Sequence, residues 1–364
     1  DASPQVRFNA VRLLGESGEP ETRARLQALT DAAHEPDAAV RAEAQRSLQR
    51  VQHRLMIGDL LGQAFSGLSL GSILLLAALG LAITYGLLGV INMAHGEMLM
   101  LGAYSAYLVQ GLFQQFAPHW LALYPLAALP VAFAITAGIG MLLERTVIRH
   151  LYGRPLETLL ATWGISLVLI QLVRVLFGAQ NVEVANPAWL SGGVQLLPNL
   201  VLPWNRIAVI AFVLLVLALT WLLLNKTHLG RQLFAVGGDA ESARRIGIRV
   251  GLLHLFAYGY LGVMAAIGGL VQVYRMGEVV PNALVGGELD VLAAAVLGGA
   301  SLNGGKGSVI GTLMGVFLIG VLKNGLNLIG VSSYFMNVVI GLVIVAAITV
   351  THYKKRKETD VGFA

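Results

Sequence analysis

From Asp59 onward the chain alternates long apolar stretches with short polar ones. The pattern predicts nine helical spans, at about 60–88, 91–113, 125–147, 157–177, 207–225, 251–274, 288–300, 308–329 and 334–351. Crossing a bilayer takes roughly 20 apolar residues per helix, and most of these stretches supply them. The fifth, "IAVIAFVLLVLALTWLLL", carries no charge across eighteen residues. The seventh is short and dominated by Gly and Ala. The fold class expected is all-α: a polytopic helical membrane protein of about nine spans, some of them short or broken.

Residues 1–58 read differently, as a soluble helical segment. "PQVRFNAVRLL" and "DAAVRAEAQRSL" share the pattern V-R-x-x-A, with Val6, Arg7 and Ala10 matching Val40, Arg41 and Ala44 at an offset of 34 residues. That period falls in the range of helical repeats, and the segment resembles HEAT-type repeats. Two unrelated Ala/Arg-rich amphipathic helices would give the same pattern. Repeats bury their faces on their neighbours, so two are expected to lean on further residues, the membrane part or a partner. The chain opens at Asp1 in mid-pattern, which predicts residues upstream; no secretory signal peptide is visible. The expected domains are 1–58, HEAT-like, and 59–364, transmembrane, with a cytoplasmic coupling segment at 226–250.

Composition sharpens this picture. Hydrophobic residues make up 56% and charged residues 12%, against roughly 25% charged in soluble domains. With no cysteine, thiolate catalysis and thiolate-held metals are excluded. The eight histidines include no H-x-x-x-H spacing. No catalytic residue, metal or cofactor is therefore expected. The net charge of +5 arises entirely beyond residue 58, because residues 1–58 hold eight basic and eight acidic groups. Arg145, Arg149, Arg154, Lys226, Arg231, Arg244, Arg245, Arg249 and Lys354–Lys357 fall on one side of nine spans, joined by Lys306. The positive-inside rule makes that side cytoplasmic. The expectation is a bacterial inner membrane protein with residues 1–58 periplasmic and the C-terminus cytoplasmic. The loop "NVEVANPAWLSGGVQLLPNLVLPWN" would then be external, with Trp189 and Trp204 suiting an interface belt.

Two polar stretches stand out. In "GVINMAHGEM", Asn92, His95 and Glu97 fall within six residues, between two apolar runs. Asn92 is placed to cap the second span, and Glu97 sits where the helix macrodipole favours an anion. His95 and Glu97 are two apart and point to different sides. The stretch is either a capped helix start at the cytoplasmic boundary or a break whose polar groups line a solute path. In "HLGRQLFAVGGDAESARRIGIRV", Asp239 can cap a short basic helix, Ala240 to Ile246, that ends at Gly247. That helix is either a solvated connector or a device that takes force from a soluble partner.

"GVINMAHGEMLMLGAY" resembles the signature of permease subunits from ABC importers of the urea and branched-chain amino acid class. "ANPAWLSGG" and the preceding repeat segment tilt the resemblance toward the urea permease. From about Gly230, "GRQLFAVGGDAESARRIGIRV", "GGELDVLAAAVLGGASLNGGKGSVIGTLMG" and "VLKNGLNLIGVSS" are more similar to ribose-type sugar permeases. In this family an A-x-x-x-G-I segment docks on the ATPase subunit, and Ala243 through Gly247 and Ile248 matches it. The resemblance implies that Gly230, Arg231, Asp239, Glu241, Ala243, Arg244, Arg245, Gly247 and Ile248 take part in ATPase coupling. It also implies a second homologous permease, two ATP-binding cassette subunits, a periplasmic substrate-binding protein and a lipid bilayer as partners, and no nucleic acid.

The chain has no ATP-binding motif of its own. In "GGASLNGGKGS", Ala300 stands where a P-loop needs its first Gly, and Gly307 follows Lys306 where Ser or Thr is required. Glu288 and Asp290 open the seventh span, solvated at the interface or lining the external mouth. Lys323 is placed to snorkel as an anchor. Asn303, Asn324 and Asn327 complete the candidate pathway set with Asn92, His95, Glu97, Glu288 and Asp290. The leading reading is a urea-translocating permease subunit working by alternating access, with a branched-chain amino acid or ribose-type sugar as runner-up cargo. A passive channel would need no coupling helix. An intramembrane enzyme would have only Ser166 and His95 as nucleophile and base.

Overall fold

The computed structural model describes residues 3–90, 92–279, 281, 287–299, 308–332, 334–346 and 349; of residues 86–87, 287–289 and 328 it describes the backbone alone. The described chain divides into two compact units, residues 1–68 with 191–207, and residues 69–190 with 208–364.

In the first unit, α1 (Pro4–Ser17) starts on a Ser3 cap and stops at Gly18, whose φ of 65° suits a left-handed helix end. After α2 (Pro20–Ala28) comes the start of α3 (Ala38–Leu81). Val11, Leu26, Val40, Ala44 and Val51 form the core of these helices. Arg7 grips the Glu35 carboxylate with two of its nitrogens, and Arg41 donates to the Glu35 carbonyl oxygen at 2.7 Å. The two V-R-x-x-A copies are not equivalent: Val40 is buried, whereas Val6 is 62% exposed. The HEAT-like reading therefore rests on sequence pattern alone. A hairpin, β2 (Gly193–Leu197) and β3 (Leu200–Pro203), belongs to the same unit. Asn199 at its turn donates to Leu55 O at 3.0 Å and Asp59 Oδ1 at 3.1 Å.

The domain boundary expected at residue 58 thus moves. The unit takes in ten further residues of α3 and a hairpin read from sequence as a loop. At Asp59 the polarity changes, but α3 runs through it, because backbone hydrogen bonding is indifferent to which face is polar.

In the second unit, α3 ends in a π-helical turn, Ala82–Leu87, and the chain reverses at Gly89 (φ 69°). Then follow α4 (His95–Phe116), α5 (Tyr124–Thr146), α6 (Pro155–Phe177) and α7 (Trp204–Lys226). After these come α8 (His228–Gly238), α9 (Ala240–Arg245), α10 (Val250–Met276), α11 (Gly287–Leu297), α12 (Val309–Leu328) and α13 (Tyr334–Ala346). At the centre α4, α5 and α10 pack on one another. Their glycines allow backbones to touch: a Cβ on Gly140 would stand 2.4 Å from Tyr258 O, one on Gly262 2.4 Å from Thr136 O, and one on Gly269 2.1 Å from Leu99 O. Such contacts suit membranes, where packing between small residues replaces hydrophobic collapse.

Each of the nine expected spans coincides with a helix, but six helices are long and apolar enough to cross a bilayer. The helix α4 reaches about 33 Å at 1.5 Å per residue, yet carries Glu97, Ser105 and three glutamines. Half of it is buried between other helices, so its faces need not suit lipid. The described α11, at 11 residues, spans about 16 Å, half of a bilayer core. The protein is an all-α, multi-pass membrane protein.

Candidate functional site

The break between α3 and α4 gathers polar groups in an apolar interior. Asn92, His95 and Glu97 are all buried, at 2%, 1% and 4% exposure. Asn92 Oδ1 accepts from Ala94 N at 3.1 Å, closing a local turn, while Nδ2 faces Met98 Sδ. The helix begins at His95 with Ala94 as its cap residue. Asn92 therefore stabilises the approach to α4 and does not cap it, a correction to the sequence expectation. The Thr162 hydroxyl of α6 accepts from Met93 N at 3.1 Å and ties the turn down.

His95 and Glu97 diverge, as their spacing predicts. His95 Nε2 lies 3.0 Å from Ala77 O on α3, and its Nδ1 has no partner. Glu97 has the Ser166 hydroxyl of α6 as its neighbour, and its Oε2 has no partner. Among the described residues no hydrogen bond joins Ser166 to His95, so the nucleophile–base pairing considered for an enzyme is not formed. Two buried polar atoms without partners, on two faces of one helix start, are costly unless something else satisfies them.

At the α11–α12 pair, Lys323 forms an ion pair with Asp290, both partly buried. The sequence reading places Lys323 as an interface anchor and Asp290 as a candidate lining group, and does not foresee this pairing between them. Glu288 opens α11, but its side chain lies outside the described residues, as does Asn303 entirely. Asn324 is half-buried and Asn327 exposed.

The segment between α7 and α10 is built as a compact bracket. Thr227 caps α8, its hydroxyl accepting from Gly230 N at 3.2 Å. Gly230 is obligatory, since a Cβ there would stand 2.0 Å from Leu224 O. Arg231 reaches back to His228 Nδ1 at 3.0 Å. Asp239 caps α9, accepting from Glu241 N at 2.9 Å and Ser242 N at 3.2 Å. The Ser242 hydroxyl and these two amides hold its carboxyl below the ordinary carboxylate range. Gly247 (φ 90°) ends the turn, and Ile248 N donates to Ala243 O at 3.1 Å. Ala243 is buried, while Glu241 pairs with both Arg244 and Arg245 in solvent. Ile246 projects at 76% exposure. The cap and stop were legible in the sequence. The helix α8 and the exposed Ile246 were not singled out, although an apolar side chain between arginines was visible.

At the opposite end of α10, β1 (Val182–Glu183) pairs with β4 (Glu278–Val279). There Gln110 Oε1 accepts from Ala185 N at 3.0 Å, and Tyr124 donates to Ala185 O at 2.7 Å. Trp189 Nε1 donates to Ala122 O at 2.7 Å. The loop containing "ANPAW" is thus bonded onto helix ends, a role that needs long-range contacts to see. Among the described residues no group of three or more His, Cys, Asp or Glu could hold a metal.

The family described as "Branched-chain amino acid transport system / permease component" matches residues 63–348. The chain belongs to this permease family. The permease is 44% identical over 135 residues to the ribose import permease protein of Escherichia coli K12, covering 37% of the chain and 42% of that relative. Against the ribose import permease protein of Bacillus subtilis 168 it is 44% identical over 146 residues, covering 40% and 44%. Against the galactose/methyl galactoside import permease protein of E. coli K12 it is 35% identical over 237 residues, covering 63% and 69%. The permease thus spans less than half the length of the ribose permeases it matches. No solved structure matches it.

Proposed function

We propose that this chain is the membrane-spanning subunit of a bacterial ABC importer, carrying a small neutral polyhydroxylated solute of the aldose class across the inner membrane. The cargo rests on one observation: the three relatives described above are named for import of ribose or of galactose and methyl galactoside, at 35–44% identity. The urea assignment, carried by "GVINMAHGEM" and "ANPAWLSGG", draws no support from these relatives. Hydroxyl-rich solutes need acceptors and donors at a constriction, with no full charge complement. His95 Nδ1 and Glu97 Oε2 supply unpartnered polar atoms beside α3 and α6, and Asn324 adds an amide on α12.

ATP-binding cassette subunits acting on 230–249 would rock the helix bundle between inward and outward states. Ile246 with Arg244 and Arg245 forms the exposed contact, while Ala243 and Ile248 root it. A second permease copy or homologue and a periplasmic binding protein complete the assembly, with residues 1–58 periplasmic and the C-terminus cytoplasmic. A competition panel tests the cargo. Purified protein, reconstituted with its ATPase and binding protein, should take up labelled ribose or galactose and lose that uptake to excess unlabelled sugar. Uptake displaced by urea or leucine and untouched by sugars would reverse the assignment.

A further inference from the structure

Where the α8–α9 bracket meets the end of α5, a cleft of about 470 Å³ opens. Glu144 and Arg145 of α5, Arg149 of the following linker, and Arg244, Ile248 and Arg249 of the bracket all line it. A displaced bracket meets space there, and space passes nothing on, whereas packed interiors transmit displacement. A packed route runs instead through the α5–α6 linker, residues 147–154. Ile148, 1% exposed, lies in the same apolar core as Ala243 of the bracket and Leu253 of α10. The Tyr152 hydroxyl donates to the buried Glu144 carboxylate, which the Arg149 and Arg145 charges also face. The Tyr152 ring lies 4.0 Å from the ring of His254, in the second turn of α10. The charge of Arg244, on α9, acts on His254 in turn. One side chain thus holds both helices beside the bracket: α5 through its hydroxyl and α10 through its ring.

We propose that Tyr152 is a positioning residue for coupling, joining the foot of α10 to the end of α5 so that both follow a displacement of the bracket. The proposal rests on the reading of 230–249 as the ATPase contact. Arg145 and Arg149 are exposed, and long exposed side chains hold a partner loosely. They balance the Glu144 charge without fixing a geometry. The tyrosine hydroxyl adds direction, because a hydrogen bond weakens steeply off its axis. Higher up, α5 and α10 already touch backbone to backbone at Gly140 and Gly262. With their cytoplasmic ends tied as well, the two helices respond to the bracket as one body. Without the tie, movement of the bracket reaches α10 and dissipates in the cleft before α5.

The test uses the full chain in proteoliposomes with its ATPase and binding protein, reading solute uptake and ATP hydrolysis in the same sample. The solute is labelled ribose, galactose, urea or leucine, whichever the native chain imports. Tyr152→Phe keeps the ring on His254 and removes the hydroxyl. Hydrolysis by the partner should stay within about twofold of native while uptake falls about fivefold, so that ATP consumed per solute rises. Glu144→Leu removes the acceptor and should raise that ratio equally, and the Tyr152→Phe/Glu144→Leu protein should go no further, because each acts through the other. Glu144→Gln still offers a carbonyl oxygen to the hydroxyl and should stay near the native ratio. A native ratio in Tyr152→Phe, or additive losses in the double variant, would overturn the proposal. So would uptake and hydrolysis falling together, the mark of a merely structural role. Native uptake without ATP would overturn the coupling reading and this proposal with it; ATP-driven native uptake with an unaltered Tyr152→Phe overturns the proposal alone. Should Tyr152→Phe fail to fold, Glu144→Leu set against Glu144→Gln reads the same bond.

Discussion

Lys323 of α12 reaches across to Asp290 of α11 and forms an ion pair that is partly withdrawn from solvent. Close backbones accompany it: a Cβ on Gly315 would stand 1.9 Å from Ala294 O. The two helices form a hairpin-like unit in which a short helix is held by a longer one. Removing one charge leaves the other stranded. Asp290→Asn or Lys323→Met should each destabilise the protein by about 2 kcal/mol, discounted for partial exposure. The double variant should recover most of that loss. Thermal unfolding of the four proteins checks this, and additive losses would show that the pair is not coupled.

The central helices make a second prediction. Gly140→Ala places a methyl 2.4 Å from Tyr258 O, and backbone cannot swing aside as a side chain can. The cost should be about 1–3 kcal/mol of overpacking. Gly71→Ala on α3 meets nothing within 4 Å and serves as a matched control. It should be neutral or gain up to about 1 kcal/mol from reduced backbone entropy. Equal effects at the two positions would contradict the packing described.

Glu97→Gln keeps the size and the acceptor beside Ser166 but removes the charge. If Glu97 serves the solute path, transport should fall about tenfold, an effect of roughly 1.4 kcal/mol, with the unfolding temperature unchanged. Normal transport by this variant would reduce the stretch to a well-built helix start.

The N-terminal unit carries a pH signature. Hydrogen bonds from Arg7 hold the Glu35 carboxyl below its ordinary 4.5. A depressed folded-state value means that the stabilisation is present above the unfolded value and is lost as pH falls through the folded one. The stability of this unit should therefore decline on acidification below about pH 4.5. Glu35→Gln should be less stable at neutral pH and flatter over that range. Hydrogen exchange of α1 and α2 in the full chain, from pH 7 to about 3, reads it. An unchanged pH slope in Glu35→Gln would remove Glu35 as the cause.

Local signals in the sequence carried much of this. The Asp239 cap, the Gly247 stop and the nine helical stretches follow from residue type and spacing, and each has a helix at its place. Continuity of α3 through Asp59 was hidden, because hydropathy reports the surroundings of a helix and not its hydrogen bonding. The Lys323 pairing and the hairpin that Asn199 fixes to Leu55 both depend on residues far apart in the chain. Asn92 shows a finer limit: the capping residue type was present, but its side chain closes a turn two residues too early for the helix.

The central claim is that transport is driven by a partner acting on the α8–α9 bracket. Solute uptake into proteoliposomes containing the permease, its ATPase and its binding protein tests it most directly, comparing the native chain with one whose residues 238–249 are scrambled. Uptake by the native chain should require ATP hydrolysis, and the scrambled chain should lose uptake while its fold persists. Uptake at an unchanged rate without ATP, or in the scrambled chain, would contradict the account and leave a passive channel.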